Sequence, residues 1–233
     1  MGGGQPRRAV RPGDAGDPHH RRPGLAADRV SAAAGRRLWL VRHGETEGQS
    51  SIRYHGRNDV ALSDEGRAQI RALAPLLAGV EFAHVVHSPL RRAAESAAIL
   101  GERLGLPAAR LCADERLREI YFGECEGMTA EEIAAAHPAF WAEHRAGRAD
   151  AFPGGESRAG FAARVRAAIL EHAAGPWTGD LLVVAHRGIV RHGLHALLGE
   201  PGHGLDPYAV ALGSVSVVRE DGPWRLEALS LLP

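Results

Sequence analysis

The segment DLLVVAH, residues 180–186, constrains the fold more than any other stretch of this 233-residue chain. Its run of Leu, Leu, Val, Val and Ala shows no polar alternation, so it reads as a strand covered on both faces; a strand with one wet face would alternate. Covering both faces takes helices above and below, and RLWLVRH (37–43) repeats the demand. The intervening sequence supplies them. Ser63 caps a helix expected from about Asp64 to Leu77, with Ile70, Leu73, Leu76 and Leu77 at helical spacing. His84–His87 reads as a strand, and Ser88 with Pro89 as the cap and first position of a helix running to about Leu104, where Gly105 stops it. Thr129 and Glu132 form a capping box for a helix reaching past Trp141, residues 157–174 an amphipathic helix, and Gly188 opens another. The strands VALGSVSVVRE and WRLEALSLL, joined by Asp221, Gly222 and Pro223, close the chain. The expectation is an α/β fold: a three-layer α/β/α sandwich around a mostly parallel central sheet.

Other classes are excluded in turn. No stretch approaches the roughly 18 apolar residues of a membrane span. The N-terminus lacks the apolar core of a secretory leader. Two cysteines, Cys112 and Cys125, are too few for a disulfide-built fold and suit a reducing cytoplasm, the expected location. Basic and acidic residues balance at 28 each, which argues against a nucleic-acid partner. The balance is uneven, because residues 1–36 hold seven arginines and three aspartates. That segment, rich in Gly, Pro and Arg with few large apolar residues, is expected to be a disordered extension; residues 37–233 form the folded domain.

Three polar clusters follow expected strands: Arg42 and His43 in LVRHGET, Ser88–Arg92 in HSPLRRA, and His186 in VVAHRG. Ligands of open α/β sheets bind outside the carboxyl ends of the strands, so the clusters are expected to converge on one crevice. Two arginines, two histidines and nearby helix N-termini suit a phosphate dianion. No zinc set is expected from HVVH or HGLH, since no third ligand cluster lies nearby.

With these residues in view, the chain resembles the histidine phosphatase superfamily, with its phosphoglycerate mutase-like fold. The resemblance rests on LVRHGET (40–46), YHGRNDVALSDEG (54–66), SPLRRAAESA (88–97), LREIYFGECEG (117–127), PGGES (153–157) and VVAHRG (183–188), and spans residues 37 to about 220. It implies that residues 37–233 are a catalytic domain, that His43 is the nucleophile that becomes a phosphohistidine, and that Arg42, Arg92 and His186 clamp the phosphate. Glu119 is implied as the proton donor to the leaving oxygen. Each role has a physical basis. A histidine nucleophile must be neutral, and neighbouring guanidinium groups disfavour its protonation. An alkoxide leaves poorly unless a positioned acid protonates it. No metal and no cofactor is implied.

Two positions depart from the family pattern. Gln49 stands where an asparagine commonly touches phosphate, and Arg187 separates His186 from Gly188. Gln49 and Arg187 are carried as phosphate-binding candidates, and Arg53, Tyr54 and Arg57 as rim residues facing the alcohol half of the substrate. The short segment Gly127–Phe152, with only Arg145 and Arg148 as cations, favours the phosphatase branch over a mutase. REIYFGECEG resembles the α-ribazole phosphatases, making α-ribazole 5′-phosphate a leading substrate within a class of small phosphorylated metabolites. The alternatives are mutase-type phosphoryl transfer, a phosphohistidine protein phosphatase, and a non-catalytic phosphoprotein-binding domain. The sequence leaves monomer and homodimer both open.

Overall fold

Residues 1–2, 35–199 and 208–233 are described in the computed structural model, so the expected N-terminal extension lies almost wholly outside the described residues. From Arg36 onward the chain alternates strands and helices: β1 (Arg37–Arg42), α1 (Asp64–Leu77), β2 (Phe82–His87), α2 (Arg91–Leu104), β3 (Leu111–Ala113), α3 (Ala130–Ala136), α4 (Pro138–Arg145), α5 (Arg158–Ala173), β4 (Asp180–Ala185), α6 (Arg187–Leu198), β5 (Val215–Glu220) and β6 (Trp224–Leu231).

The six strands form one sheet in the order β3-β2-β4-β1-β5-β6. β3, β2, β4 and β1 run parallel, and the hairpin β5–β6 adds two antiparallel strands beside β1. The continuous apolar runs occupy the centre, as expected. Alternate residues of β1 and β4 serve opposite layers: Leu38, Leu40, Leu181 and Val183 join the core under α5 and α6, while Trp39, Val41, Leu182 and Val184 join the core under α1 and α2. Each such buried side chain contributes roughly 1.5–3 kcal/mol, and the shared direction of β1, β4 and β2 brings the polar clusters to one end of the sheet.

Several boundaries follow from local chemistry. Ser63 Oγ accepts from Gly66 N at 3.1 Å and starts α1, and Gly105, at φ 68°, ends α2 in the left-handed region. The Thr129–Glu132 capping box is reciprocal. Four details differ from the expectation. The first closing strand begins at Val215, not Val210. α2 starts at Arg91, with Leu90 as its cap, while the Ser88 hydroxyl meets His186 and accepts from Leu90 N. The helix after Thr129 breaks into α3 and α4 at His137, whose ψ of 59° is non-helical; the ring of Pro138 excludes a helical conformation there. β3, only three residues long, is too short to show a pattern.

Candidate active site

β1, β4 and β2 end side by side, which brings the three polar clusters together. The parallel register sets Arg42 beside Ala185, so His43 and His186 are the first residues past the ends of adjacent strands. His43 N donates to Ala185 O and Ser88 N to Val184 O, each at 3.0 Å. The two imidazoles lie with ring centroids 5.2 Å apart, and both are buried.

His43 Nδ1 lies 2.7 Å from the Gly44 carbonyl. A carbonyl only accepts, so Nδ1 carries the hydrogen and Nε2 keeps its lone pair. Gly44 lets the backbone pass close to Gly66, because a Cβ there would overlap the Gly66 carbonyl. Burial holds the His43 pKa well below the ordinary 6.5, and the Arg92 and Arg42 charges push the same way. The ring is therefore a neutral base at neutral pH.

His186 is also held well below 6.5, by burial first and then by Arg92. Its Nε2 meets Ser88 Oγ at 2.7 Å, and Ser88 Oγ accepts from Leu90 N at 3.3 Å. With a backbone donor already on its oxygen, the serine hydroxyl is placed to donate to Nε2, which leaves the ring hydrogen on Nδ1. That Nδ1 is buried and unpaired among the described residues, as are the Nε atoms of Arg42 and Arg92.

Arg92, in the first turn of α2, is wholly buried and donates to the carbonyls of Asn58, His55 and Gly56 at 2.8, 2.8 and 2.9 Å. Arg42 donates to Val210 O at 2.8 Å. Both guanidinium pKa values are lowered to about 10, chiefly by burial. Glu119, in the loop before a short 3-10 turn, is buried. Its two oxygens are held by backbone amides: Oε1 accepts from Ile120 N at 3.0 Å and Oε2 from Gly188 N at 2.9 Å.

Arg42, His43, Arg53, Tyr54, Glu119 and Arg187 line a common cavity of about 290 Å³, near the lower end of small-molecule sites. Arg92 and His186 do not line it, but both interact electrostatically with His43. Arg53 is paired with Glu132 at 2.8 Å, and Tyr54 packs against Phe122 with ring centroids 5.2 Å apart. Two further expected residues, besides Arg92 and His186, do not line the cavity. Gln49 is exposed in a turn at φ 59°, and Ser50 and Ser51 supply the wall in its place. Arg57 is exposed and lies over the Tyr121 ring, 4.7 Å from its centroid.

The sequence reading gave no role to Ser50, Ser51, Phe122 or His55 in the cavity wall, nor to Ser88 as the partner of His186. Ser88 carried a signal as a polar residue directly after a strand. Among the described residues no group of three His, Cys, Asp or Glu forms a metal-ligand set, and no helix is long and apolar enough to cross a membrane.

Comparison with known proteins finds a match to the family model of the histidine phosphatase superfamily (branch 1) over residues 38–231. A glucosyl-3-phosphoglycerate phosphatase of Mycolicibacterium vanbaalenii is 37% identical over 211 residues, covering 82% of this chain and 87% of the relative. An adenosylcobalamin/alpha-ribazole phosphatase of Salmonella typhimurium is 31% identical over 183 residues, covering 78% of this chain and 89% of the relative. Among solved structures, the native mycobacterial glucosyl-3-phosphoglycerate phosphatase superposes with a TM-score of 0.73 at 32% identity, covering 84% of this chain and 99% of that one.

Proposed function

Because the chain belongs to the histidine phosphatase superfamily, branch 1, we propose that it hydrolyses phosphomonoesters without a metal, through a phosphohistidine at His43. It is a phosphatase of small phosphorylated metabolites, in keeping with its relatives. The observation that carries the residue roles is that three of the buried nitrogens unpaired among the described residues, Arg42 Nε, Arg92 Nε and His186 Nδ1, belong to residues grouped around a histidine whose Nε2 is free to attack. Buried donors without partners are costly, and a phosphoryl group supplies the acceptors.

In the first step the Nε2 lone pair forms a bond to phosphorus while the phosphorus–oxygen ester bond breaks. The departing oxygen takes a proton from Glu119, giving the free alcohol. In the second step Glu119 removes a proton from water as its oxygen attacks phosphorus and the phosphorus–nitrogen bond breaks. Phosphate leaves, and His43 returns neutral with its hydrogen still on Nδ1. Arg42, Arg92 and His186 hold the equatorial oxygens through both transfers; one such donor is worth about 3–4 kcal/mol in the transition state. The Gly188 amide and the Ile120 amide aim the carboxyl group.

Residues 37–233 constitute the catalytic domain in this reading, and the two free thiols, Cys112 exposed and Cys125 buried, suit a cytoplasmic enzyme. Hydrolysis is favoured over phosphoryl transfer because Arg148, one of the two cations between Gly127 and Phe152, is paired with Glu143 at 2.7 Å. The relatives' names supply two substrate candidates, α-ribazole 5′-phosphate and glucosyl-3-phosphoglycerate. The test is phosphate release from a panel of small phosphomonoesters in excess EDTA. The expected result is turnover that survives chelation and is lost in His43→Ala; release that requires an added metal, or persists in the variant, contradicts the proposal.

A further inference from the structure

Once the phosphate clamp is assembled, one cation of the cavity has no task in the chemistry. The charged side chains on the wall are Arg42, Arg53, Glu119 and Arg187. Arg42 belongs to the clamp and Glu119 to the proton transfers. Arg53 is matched by Glu132, at 2.8 Å, and also donates to Gly127 O. Arg187 is different: it is exposed, opens α6 directly after His186, and among the described residues it has no hydrogen bond or ion pair through its side chain.

Arg187 also shares the cavity with the guanidinium of Arg42. Arg187 is the charge that most lowers the proton affinity of Arg42, and it acts on Tyr54 across the same cavity. Two like charges sharing a partly enclosed space repel. The phosphate does not account for both. A phosphomonoester dianion is matched by the two guanidinium groups of the clamp, Arg42 and Arg92, so Arg187 is not needed to balance it. The cavity, at about 290 Å³, has room beyond the phosphoryl group. Apart from Arg53, which is matched by Glu132, the rest of the wall includes the uncharged Ile52, Tyr54, Phe122, Ala130 and the two serines.

We propose that Arg187 is a specificity-determining residue that binds a second anionic group on the alcohol half of the substrate, so that the preferred substrates are phosphomonoesters that also carry a carboxylate. The inference rests on the phosphatase reading above and names the substrate class for that site. A guanidinium matches a carboxylate through two parallel N–H···O bonds, which a neutral sugar or nucleoside alcohol does not supply.

The matched probes are 3-phosphoglycerate and glycerol 3-phosphate, which share a skeleton and differ in a carboxylate against a hydroxymethyl group. Each is measured as a competitor of p-nitrophenyl phosphate hydrolysis, in the whole protein and in Arg187→Gln and Arg187→Lys. In the unaltered protein 3-phosphoglycerate is expected to bind at least tenfold more tightly. Arg187→Gln should bring the ratio to within about threefold, and Arg187→Lys should keep much of it. A ratio near one in the unaltered protein, or one that survives Arg187→Gln, overturns the proposal. An equal loss for both competitors also overturns it, by making Arg187 a phosphate ligand. Failure of the phosphatase reading looks different: no hydrolysis of p-nitrophenyl phosphate by any of the three proteins, which removes both readings together.

Discussion

Replacing Arg92 with Lys separates what the site needs from its charge and what it needs from its shape. The guanidinium ties down three carbonyls, those of Asn58, His55 and Gly56, at 2.8–2.9 Å, while its Nε stays unpaired. An ammonium keeps the charge but not the planar fork, and sits at the end of a differently shaped stem. At least one of the three carbonyls then loses its donor, at about 1–3 kcal/mol for each buried group left bare. The buried cation is itself under load: its pKa of about 10 against the ordinary 12.5 corresponds to about 3 kcal/mol disfavouring the charged form. A cation with fewer hydrogen bonds fares worse. Arg92→Lys is therefore expected to lose about 2–4 kcal/mol of stability, a fall in Tm of roughly 5–15 °C for a domain of this size. Losing one phosphoryl-directed donor should also lower kcat by roughly 10²–10³. Calorimetry gives the first quantity and phosphate release the second. A variant with Tm within 2 °C and kcat within threefold of the original, both roughly the noise of such comparisons, refutes the two-sided role of Arg92.

Three further outcomes follow from the same geometry. His43 and His186 are neutral in the fold because burial and the arginines hold their pKa values well below 6.5. Below about pH 6.5 the unfolded chain takes up protons that the folded chain refuses, so stability is full above that pH and falls beneath it, by about 2.7 kcal/mol per pH unit for two such rings; urea unfolding that is unchanged between pH 7 and 5.5 contradicts this. Gly188→Ala places a Cβ against Glu119 Oε1 and 2.9 Å from Phe161 Cζ. Since the Glu119 carboxyl is the movable neighbour, kcat should fall by roughly 10²-fold or more with only about 1–3 kcal/mol of stability lost, and undiminished turnover sinks the assigned position of the acid. Ser88→Ala removes the partner of His186 Nε2, held at 2.7 Å, and should lower stability by about 1–3 kcal/mol together with kcat; nitrogen NMR of the His186 ring, showing the same tautomer in both proteins, speaks against the serine setting it.

The elements legible in the sequence are those whose signal is local. β1 and β4 announce themselves because a strand covered on both faces has to be continuously apolar, and Ser63, Gly105 and the Thr129–Glu132 pair mark helix ends through bonds made within a few residues. His43, His186, Arg42 and Arg92 are legible because they lie in polar clusters directly after expected strands, whereas Glu119 is legible only through the resemblance of its motif, LREIYFGECEG. Features set by sheet order were not legible. That Ser88 serves His186 depends on β2 lying beside β4. Gln49 and Arg57 were placed by motif position alone, and the backbone turn at φ 59° and the Tyr121 ring decide where they go. The break at His137 was visible as a residue before proline, but the strong capping box upstream concealed it.

The central claim is a covalent bond between phosphorus and His43. Glu119→Gln retains the nucleophile and the clamp but has no carboxylate to activate water, so the phosphoenzyme should accumulate when the leaving group needs no acid. The direct measurement is intact-mass and peptide analysis of Glu119→Gln mixed with p-nitrophenyl phosphate and quenched at alkaline pH, with His43→Ala as the paired sample. The account predicts one phosphoryl group, located on His43 and absent from the paired sample. Release of p-nitrophenol by Glu119→Gln without any phosphorylated His43, or a phosphoryl group on another side chain, would contradict it.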